Sequence, residues 1–443
     1  MNHVIQPVAR IRGGARAPHY KDTAEAASVV MPSPELVIIP MQQHIGAPCK
    51  PTVKPGDTVL AGQVIGDTDA FVSAPIHSSV SGKVKSIGPV QMSNGSKCDA
   101  VYIESDGEDN YIDANPVDVK NKSDLLAATR ASGLVGIGGA GFPTHAKLAI
   151  KDNVKVDTLL INGAECEPYI TSDYREIMEF PERIIAGTEL VMEHLDIPRG
   201  IIGIESNKPK GVETLKKYLA EINPEGNIDI MELPAMYPHG AEKMLIYAAT
   251  GRQVPVGGLP ADIGCIVLNI TSVAFIHRYV KTGLPLTQKR LTVSGGAIKE
   301  HKNVIAPIGS KVSDILGFCG GFTAEPTRLI FGGPMMGIAQ YDTDMPITKQ
   351  NNAIIGLTAA ETITDPEQPC IRCGRCVDAC PMSLLPVSIE WSLRSSNAEA
   401  IEKLNAVNCM ECGCCAFACP SVRPLTQYMR DAKNLLKRKS VAK

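Results

Sequence analysis

Eight cysteines near the carboxyl terminus repeat one pattern, Cys370-x2-Cys373-x2-Cys376-x3-Cys380-Pro381 and Cys409-x2-Cys412-x2-Cys415-x3-Cys419-Pro420. Thiolates at this spacing bind iron-sulfur cubanes: three close cysteines hold one 4Fe-4S cluster, and the fourth reaches across to the other. Cys370, Cys373, Cys376 and Cys419 are therefore expected on one cluster, and Cys409, Cys412, Cys415 and Cys380 on the second. Zinc is the competing ion for Cys-x2-Cys pairs, but zinc sites use two separated pairs and gain nothing from a third cysteine or a Cys-Pro step. The chain is expected to carry electrons. Cys414 lies inside the second run but off its spacing, and is expected to pack or tune rather than ligate.

A second chemical signal is the glycine-rich string Gly136-Ile-Gly-Gly-Ala-Gly-Phe-Pro-Thr-His-Ala-Lys147. Glycines let backbone amides approach an anionic phosphate, Phe142 offers a face for a planar ring, and Lys147 a point charge. The string follows a helical pattern rather than a strand, so it lacks the context of a Rossmann fingerprint. His145 and His239 are expected to be ordinary hydrogen-bonded residues.

The elements around these signals fall into blocks. Residues about 30 to 105 read as short strands, over 35–40, 58–65, 82–87 and 100–103, with Gly and Pro between them. From about 123 to 280 helices and apolar strands alternate, which predicts an α/β sheet. Helices are expected at 123–132, 180–194 and 211–220, and strands at 156–162 and 200–206. Residues about 285 to 340 return to short strands, with a turn at 305–309 and a small helix at 311–318. From about 364 the cysteine runs are joined by helices expected at 388–395 and 398–404. Gly374 and Gly413 give the backbone room to wrap the clusters. The boundaries expected are 1–110, 120–282, 285–345, 360–430 and a basic tail 431–443, whose Lys437-Arg438-Lys439 reads as a solvated helix end.

Resemblances sharpen these blocks. Val53-Lys-Pro-Gly-Asp-Thr-Val with Ser73-Ala-Pro-Ile-His-Ser-Ser resembles the lipoyl and biotinyl barrel-sandwich family, but the matching turn at His77, Ser78 and Ser79 has no lysine to modify, which implies a scaffold. Residues about 285 to 340 resemble a ligand-binding β-grasp module. The glycine string together with Ile161-Asn-Gly-Ala-Glu-Cys-Glu-Pro168 is similar to the FMN and NADH site of the flavoprotein subunit of respiratory complex I. That resemblance implies FMN contacts from Gly136, Gly138, Lys147, Asn162 and Glu165, with Phe142 and Glu167 facing NADH. Two further segments match in part. Tyr237-Pro-His-Gly-Ala-Glu242 keeps Gly240 and Glu242 but has Ala241 for a family Glu, and Leu268-Asn-Ile-Thr keeps Asn269 but not the next Asn.

Two cluster runs, an amino-terminal barrel-sandwich and the opening Arg12-Gly-Gly-Ala-Arg-Ala-Pro-His-Tyr-Lys21 together resemble the C-subunit family of Rnf electron transport complexes. The implied fold is a multidomain α/β chain: barrel-sandwich module, complex-I-flavoprotein-like domain, β-grasp module and helical dicluster ferredoxin domain. The implied cofactors are FMN, NAD(H) and two 4Fe-4S clusters. The implied partners are the other Rnf subunits, including a ferredoxin-like B subunit and membrane subunits, with ferredoxin reached indirectly. A soluble NADH:acceptor oxidoreductase (diaphorase) subunit would share the flavin and cluster parts but lacks the barrel-sandwich. A lipoyl or biotin carrier with a ferredoxin tail would need the missing lysine.

Bulk properties agree. With 44 Lys plus Arg against 47 Asp plus Glu, the net charge of −3 gives no field for nucleic acid. Scattered remaining cysteines imply a reducing compartment. The amino terminus carries charges where a signal peptide needs an apolar core, so export is not expected. The stretch 263–280 is too polar and short to span a bilayer, and a peripheral place at the cytoplasmic face of the membrane, reached through partners, is expected.

Overall fold

A computed structural model describes residues 3–151, 153–223 and 226–441. Its central sheet has five parallel strands in the order Val4–Ile5, Ile228–Leu233, Arg199–Glu205, Thr158–Gly163, Cys265–Asn269. The inner strands are near-continuous apolar runs, and Leu159, Leu160, Ile161, Ile201 and Ile202 are fully buried. That is what a sheet covered on both faces requires. The helices Pro181–His194, Pro209–Ile222, Glu242–Thr250 and Ile270–Thr282 supply the cover. Two of them begin at a proline, whose fixed φ suits the first turn. The alternation expected from about 123 to 280 is present, with ends shifted by at most two residues.

The sheet's outer strand comes from the opposite end of the chain. Val4–Ile5 pairs with Ile230 and Met231. Ser28–Val30 likewise joins the edge of a second, six-stranded sheet, ordered Ile338–Gln340, Arg328–Phe331, Ala353–Leu357, Gln288–Ser294, Lys302–Pro307, Ser28–Val30. The turn expected at 305–309 is instead the end of strand Lys302–Pro307. Val304 and Ala306 are fully buried and pair opposite Leu291 and Lys289, so the chain turns only at Gly309, at φ +95.

The barrel-sandwich packs two small sheets around Val37, Ile39, Ile65, Ile76 and Ile103. The single strand expected over 58–65 breaks into Thr58–Val59 and Val64–Asp67, because Gly62 sits at φ +87 between them. The turn that would carry a swinging arm is inside the molecule: His77, Ser78 and Ser79 are all buried. Lys349 closes this junction, donating from its ammonium to the carbonyls of Pro75 at 2.8 Å and Gly133 at 2.6 Å.

In the carboxyl-terminal domain the two cysteine runs correspond at an offset of 39 residues, Cys370 against Cys409. Arg372 and Glu411 both have positive φ, as do Gly374 and Gly413, and Ser383 and Val422. Short helices Arg375–Asp378 and Cys414–Phe417 correspond, and so do the starts of the longer helices Pro386–Arg394 and Leu425–Val441. Their core is Leu384, Ile389, Ile401 and Met429. Arg423 meets the fully buried carboxylate of Glu390. Among the described residues no helix is long and apolar enough to cross a membrane; residues 263–280 form a strand and helix of the central sheet.

Candidate functional site

The carboxyl ends of parallel strands, with their loops, are where an open α/β sheet presents ligand-binding groups. Asn162 and Asn269 stand side by side at the ends of neighbouring strands. Asn162 donates to the Gly240 carbonyl at 2.7 Å and accepts from the Ala164 amide at 3.2 Å, tying two loops together. Gly240 leaves little room for a side chain, because a Cβ would come to 3.0 Å from Ala164 Cβ and 3.3 Å from Cys166 Sγ. Asn269 caps the helix Ile270–Thr282 through the amides of Thr271 and Ser272, and donates to Asp173 at 2.7 Å.

Lys147 reaches the same edge from the short helix Thr144–Leu148. Its ammonium donates to Glu242 at 2.7 Å and to the Val267 carbonyl at 2.9 Å, with both side chains partly open to solvent. The glycine loop closes through the Gly136 amide on the Phe142 carbonyl at 2.8 Å, with Gly138 and Gly141 at φ +69. Gly138, Gly139 and Ala140 are exposed, and Phe142 is half-buried. The barrel-sandwich braces this loop: the Ile45 amide donates to Gly141, and His145 Nε2 meets the Phe71 carbonyl at 3.0 Å.

The two glutamates of the Asn162–Pro168 segment are already engaged. Glu165, at φ +48, accepts from the amides of Asp173 at 2.6 Å and Tyr174 at 3.2 Å and so caps the helix Ser172–Glu179. Glu167 accepts from the Met335 and Met336 amides at 3.1 and 2.8 Å, which fastens the flavin-type loop to the β-grasp sheet. Burial pushes both carboxyls up to about 7.

Lys21 is the feature that the sequence did not assign. Its ammonium donates to the carbonyls of Glu165 at 2.9 Å, Glu167 at 2.8 Å and Ile170, so one side chain fixes the whole loop. Burial lowers Lys21 to about 8. Beneath it Lys208 donates to the Ala164 carbonyl at 2.6 Å and to Glu205. Two buried atoms of this loop set, Glu205 Oε1 and His239 Nε2, have no protein partner. Open glycine amides, a partly free cation and unpaired buried polar atoms at strand ends fit a phosphate-bearing ring cofactor such as FMN.

The two runs interleave: Cys376 neighbours Cys419 and Cys370, Cys380 neighbours Cys412, and Cys409 and Cys415 neighbour both Cys412 and Cys380. Cys380, Cys409, Cys412 and Cys415 line one cavity. Backbone amides already point at sulfur, Arg372 to Cys370 and Glu411 to Cys409 at 3.4 Å each and Leu384 to Cys380 at 3.3 Å. Burial pushes Cys409 up to about 11 and Cys415 to about 12. Cys414 is fully buried, and its thiol hydrogen bond lowers Cys412 to about 7. Among the described residues no three His, Cys, Asp or Glu side chains are grouped for a single metal ion.

The two quartets differ in surroundings. The Cys409 run abuts the strand-end loops, where the Tyr237 hydroxyl donates to the Cys412 carbonyl at 2.6 Å, whereas the Gly14 amide reaches the end of the Cys370 run, donating to the Ala379 carbonyl at 2.9 Å. Cys412 and Cys414 pack with Ala15, Tyr237, Cys166 and Met335. In the other run Cys373 is exposed.

Comparison with known proteins follows the same division. The Nuo51 FMN-binding domain family matches residues 129–278, the RnfC barrel sandwich hybrid domain 9–108, the SLBB domain 290–339 and the 4Fe-4S dicluster domain 369–422. The chain is 45% identical, over 96% of its length and 93% of the relative's, to the C subunit of the proton-translocating ferredoxin:NAD(+) oxidoreductase complex of Clostridium ljungdahlii. It is 42% identical to the Na(+)-translocating counterpart of Acetobacterium woodii, over 95% and 96% of the two chains. It is 39% identical to the C subunit of the ion-translocating oxidoreductase complex of Rhodobacter capsulatus, over 96% and 83%. Among solved structures, NAD+-reducing [NiFe]-hydrogenase in its air-oxidized state shares the fold with a TM-score of 0.51 at 18% identity, over 71% of this chain and 63% of that one.

Proposed function

The chain belongs to the family of C subunits of ion-translocating ferredoxin:NAD(+) oxidoreductase complexes, and from that premise we propose that it exchanges electrons between NAD(H) and its partner subunits. FMN, when bound, supplies the conversion between a two-electron hydride and single electrons that the iron-sulfur clusters can carry. Gly136, Gly138, Lys147, Asn162, Gly240, Glu242 and Asn269 form the flavin cradle, with Lys147 neutralising the phosphate. Glu165 stays on its helix amides and holds the loop rigid, as does Lys21 from behind. Phe142 offers the face on which the nicotinamide stacks, and Glu167 borders that face.

Cys380, Cys409, Cys412 and Cys415 hold the inner cluster, and Cys370, Cys373, Cys376 and Cys419 the outer one. Electrons pass from there to other subunits of the complex, including the ferredoxin-like B subunit and the membrane subunits, at the cytoplasmic face. Ferredoxin is served indirectly, and the partners couple the transfer to ion movement. One observation carries this reading: the loop 237–242 bears both the hydroxyl on the Cys412 carbonyl and the flavin-cradle residues Gly240 and Glu242.

Two variants test the site. Lys147→Ala is expected to lose most of its FMN on gel filtration, and Phe142→Ala to keep FMN but raise KM for NADH about tenfold, a loss of ~1.4 kcal/mol of binding. Unchanged flavin content and unchanged KM in both would reject the assignment.

A further inference from the structure

The 39-residue repeat allows one face of the dicluster domain to be compared with itself. In the second run that face is covered. A Cβ on Gly413 would lie 2.6 Å from the Met335 carbonyl, Cys412 is capped by Tyr237, and Cys414 is fully buried. At the matching positions of the first run no described residue covers it. A Cβ on Gly374 would meet nothing within 4 Å, Cys373 is exposed, and Arg375, the counterpart of Cys414, is exposed too.

The side chains differ accordingly. Glu411 is held by Arg430 and Lys433 at 3.0 and 2.5 Å. Its counterpart Arg372 instead lies over the ring of Trp391, the counterpart of Arg430, at 5.8 Å. Trp391, the chain's one tryptophan, is 46% exposed, and Ile371 is 68% exposed. Among the described residues neither Arg372 nor Arg375 belongs to an ion pair; Asp378, on the same short helix, is exposed as well. An open apolar and aromatic face carrying two unpaired guanidiniums around a cluster thiol is the composition of an interface core with a cationic rim.

We propose that Ile371, Arg372, Arg375 and Trp391 form the docking face for a one-electron carrier protein whose own contact surface is acidic. The repeat uses this face twice, inward against the flavin-type domain and outward against that carrier. Guanidiniums select an acidic partner, and Trp391 and Ile371 supply the desolvated centre. Across the contact one electron leaves one iron-sulfur centre and enters the other, with no bond made or broken and no proton required. The proposal rests on the outer position of the Cys370 quartet stated above.

The test uses the full chain, reconstituted with iron, sulfide and FMN, and an acidic bacterial 2[4Fe-4S] ferredoxin as a probe standing in for the ferredoxin-like B subunit; no association by the wild-type chain at low salt would also overturn the docking face. Association is followed by surface plasmon resonance across a salt series. Arg372→Glu with Arg375→Glu is expected to slow association about tenfold or more at low salt and to flatten its salt dependence. Arg372→Glu introduces the residue that the repeat already carries at Glu411, so the backbone there tolerates it. Trp391→Ala is expected to speed dissociation with the salt dependence intact, and Lys83→Glu on the barrel-sandwich to change neither. NADH-dependent ferricyanide reduction and iron content should match wild type in all variants. Wild-type association by the double-arginine variant with iron and ferricyanide activity intact would overturn the docking face alone. Absence of bound iron or of NADH oxidation in the wild type would instead overturn the reading beneath it. If the double variant lost iron, Trp391→Ala decides: unaltered dissociation would refute the proposal.

Discussion

Burial lowers the ammonium pKa of Lys21 and of Lys349, and each stands at a junction. Lys21 joins the amino-terminal segment to the loop of Glu165 and Glu167. Lys349 joins the β-grasp part of the chain to the barrel-sandwich and the α/β domain. Neither was legible as special in the sequence, because a buried lysine looks like any other until the carbonyls around it are known. Burial pushes Lys349 from 10.5 down to about 7. Between those pH values the unfolded chain holds a proton that the folded chain lacks, so stability rises with pH, by at most ~1.4 kcal/mol per unit. Below pH 7 both states are charged and the cost is constant. Lys349→Met removes this dependence, so wild type should gain thermal midpoint relative to the variant as pH is raised from about 7 to about 10. Parallel curves would contradict the lowered pKa.

At the scale of elements, the sequence was legible wherever a signal repeats. Cysteine spacing, the apolar strands of the parallel sheet and the helices after Pro181 and Pro386 all carry such periodic or positional marks. The amino-terminal segment carries none: Val4–Ile5 and Ser28–Val30 are strands of two and three residues, too short for alternation, and their pairing is set by edges formed more than 220 residues later. Between them Gly14 lies against Ala379, Ala15 pairs with Tyr237, and Tyr20 stacks on Tyr169 at 4.8 Å. One segment thus fastens three domains. Glu167 was read toward NADH from resemblance alone, and the loop that grips it lies in another domain that local sequence does not announce. The crossed ligands of the repeat make a direct prediction. Cys380→Ser should destroy the inner cluster, lowering iron from about eight to about four per chain and stopping electrons at the flavin. Cys419→Ser should leave the inner cluster reducible by NADH. Electron paramagnetic resonance of the two variants distinguishes them, and the reverse assignment of effects would refute the crossing.

In the whole molecule, four modules are arranged so that loops of one complete another. The barrel-sandwich steadies the glycine loop through Ile45 and Phe71, and its own turn is spent against Gly133. The β-grasp sheet grips Glu167 and touches Gly413 with the same loop, through the Met335 amide and carbonyl. Arg290 of that sheet also meets Glu176 and Glu179 of the α/β domain, a buried group whose disruption costs about 3 to 5 kcal/mol. Such a frame sets the proposed flavin cradle beside the Cys409 run, the proximity that one-electron transfer between them would need. The central claim is a continuous path from NADH through one flavin and two clusters. It is tested most directly by anaerobic NADH titration of the reconstituted chain, followed by absorption and electron paramagnetic resonance after iron and flavin are counted. The path requires about eight irons and one FMN per chain, with flavin bleaching followed by reduced-cluster signals. Flavin bleaching with both clusters left oxidised, or a chain that holds zinc in place of iron, would contradict it.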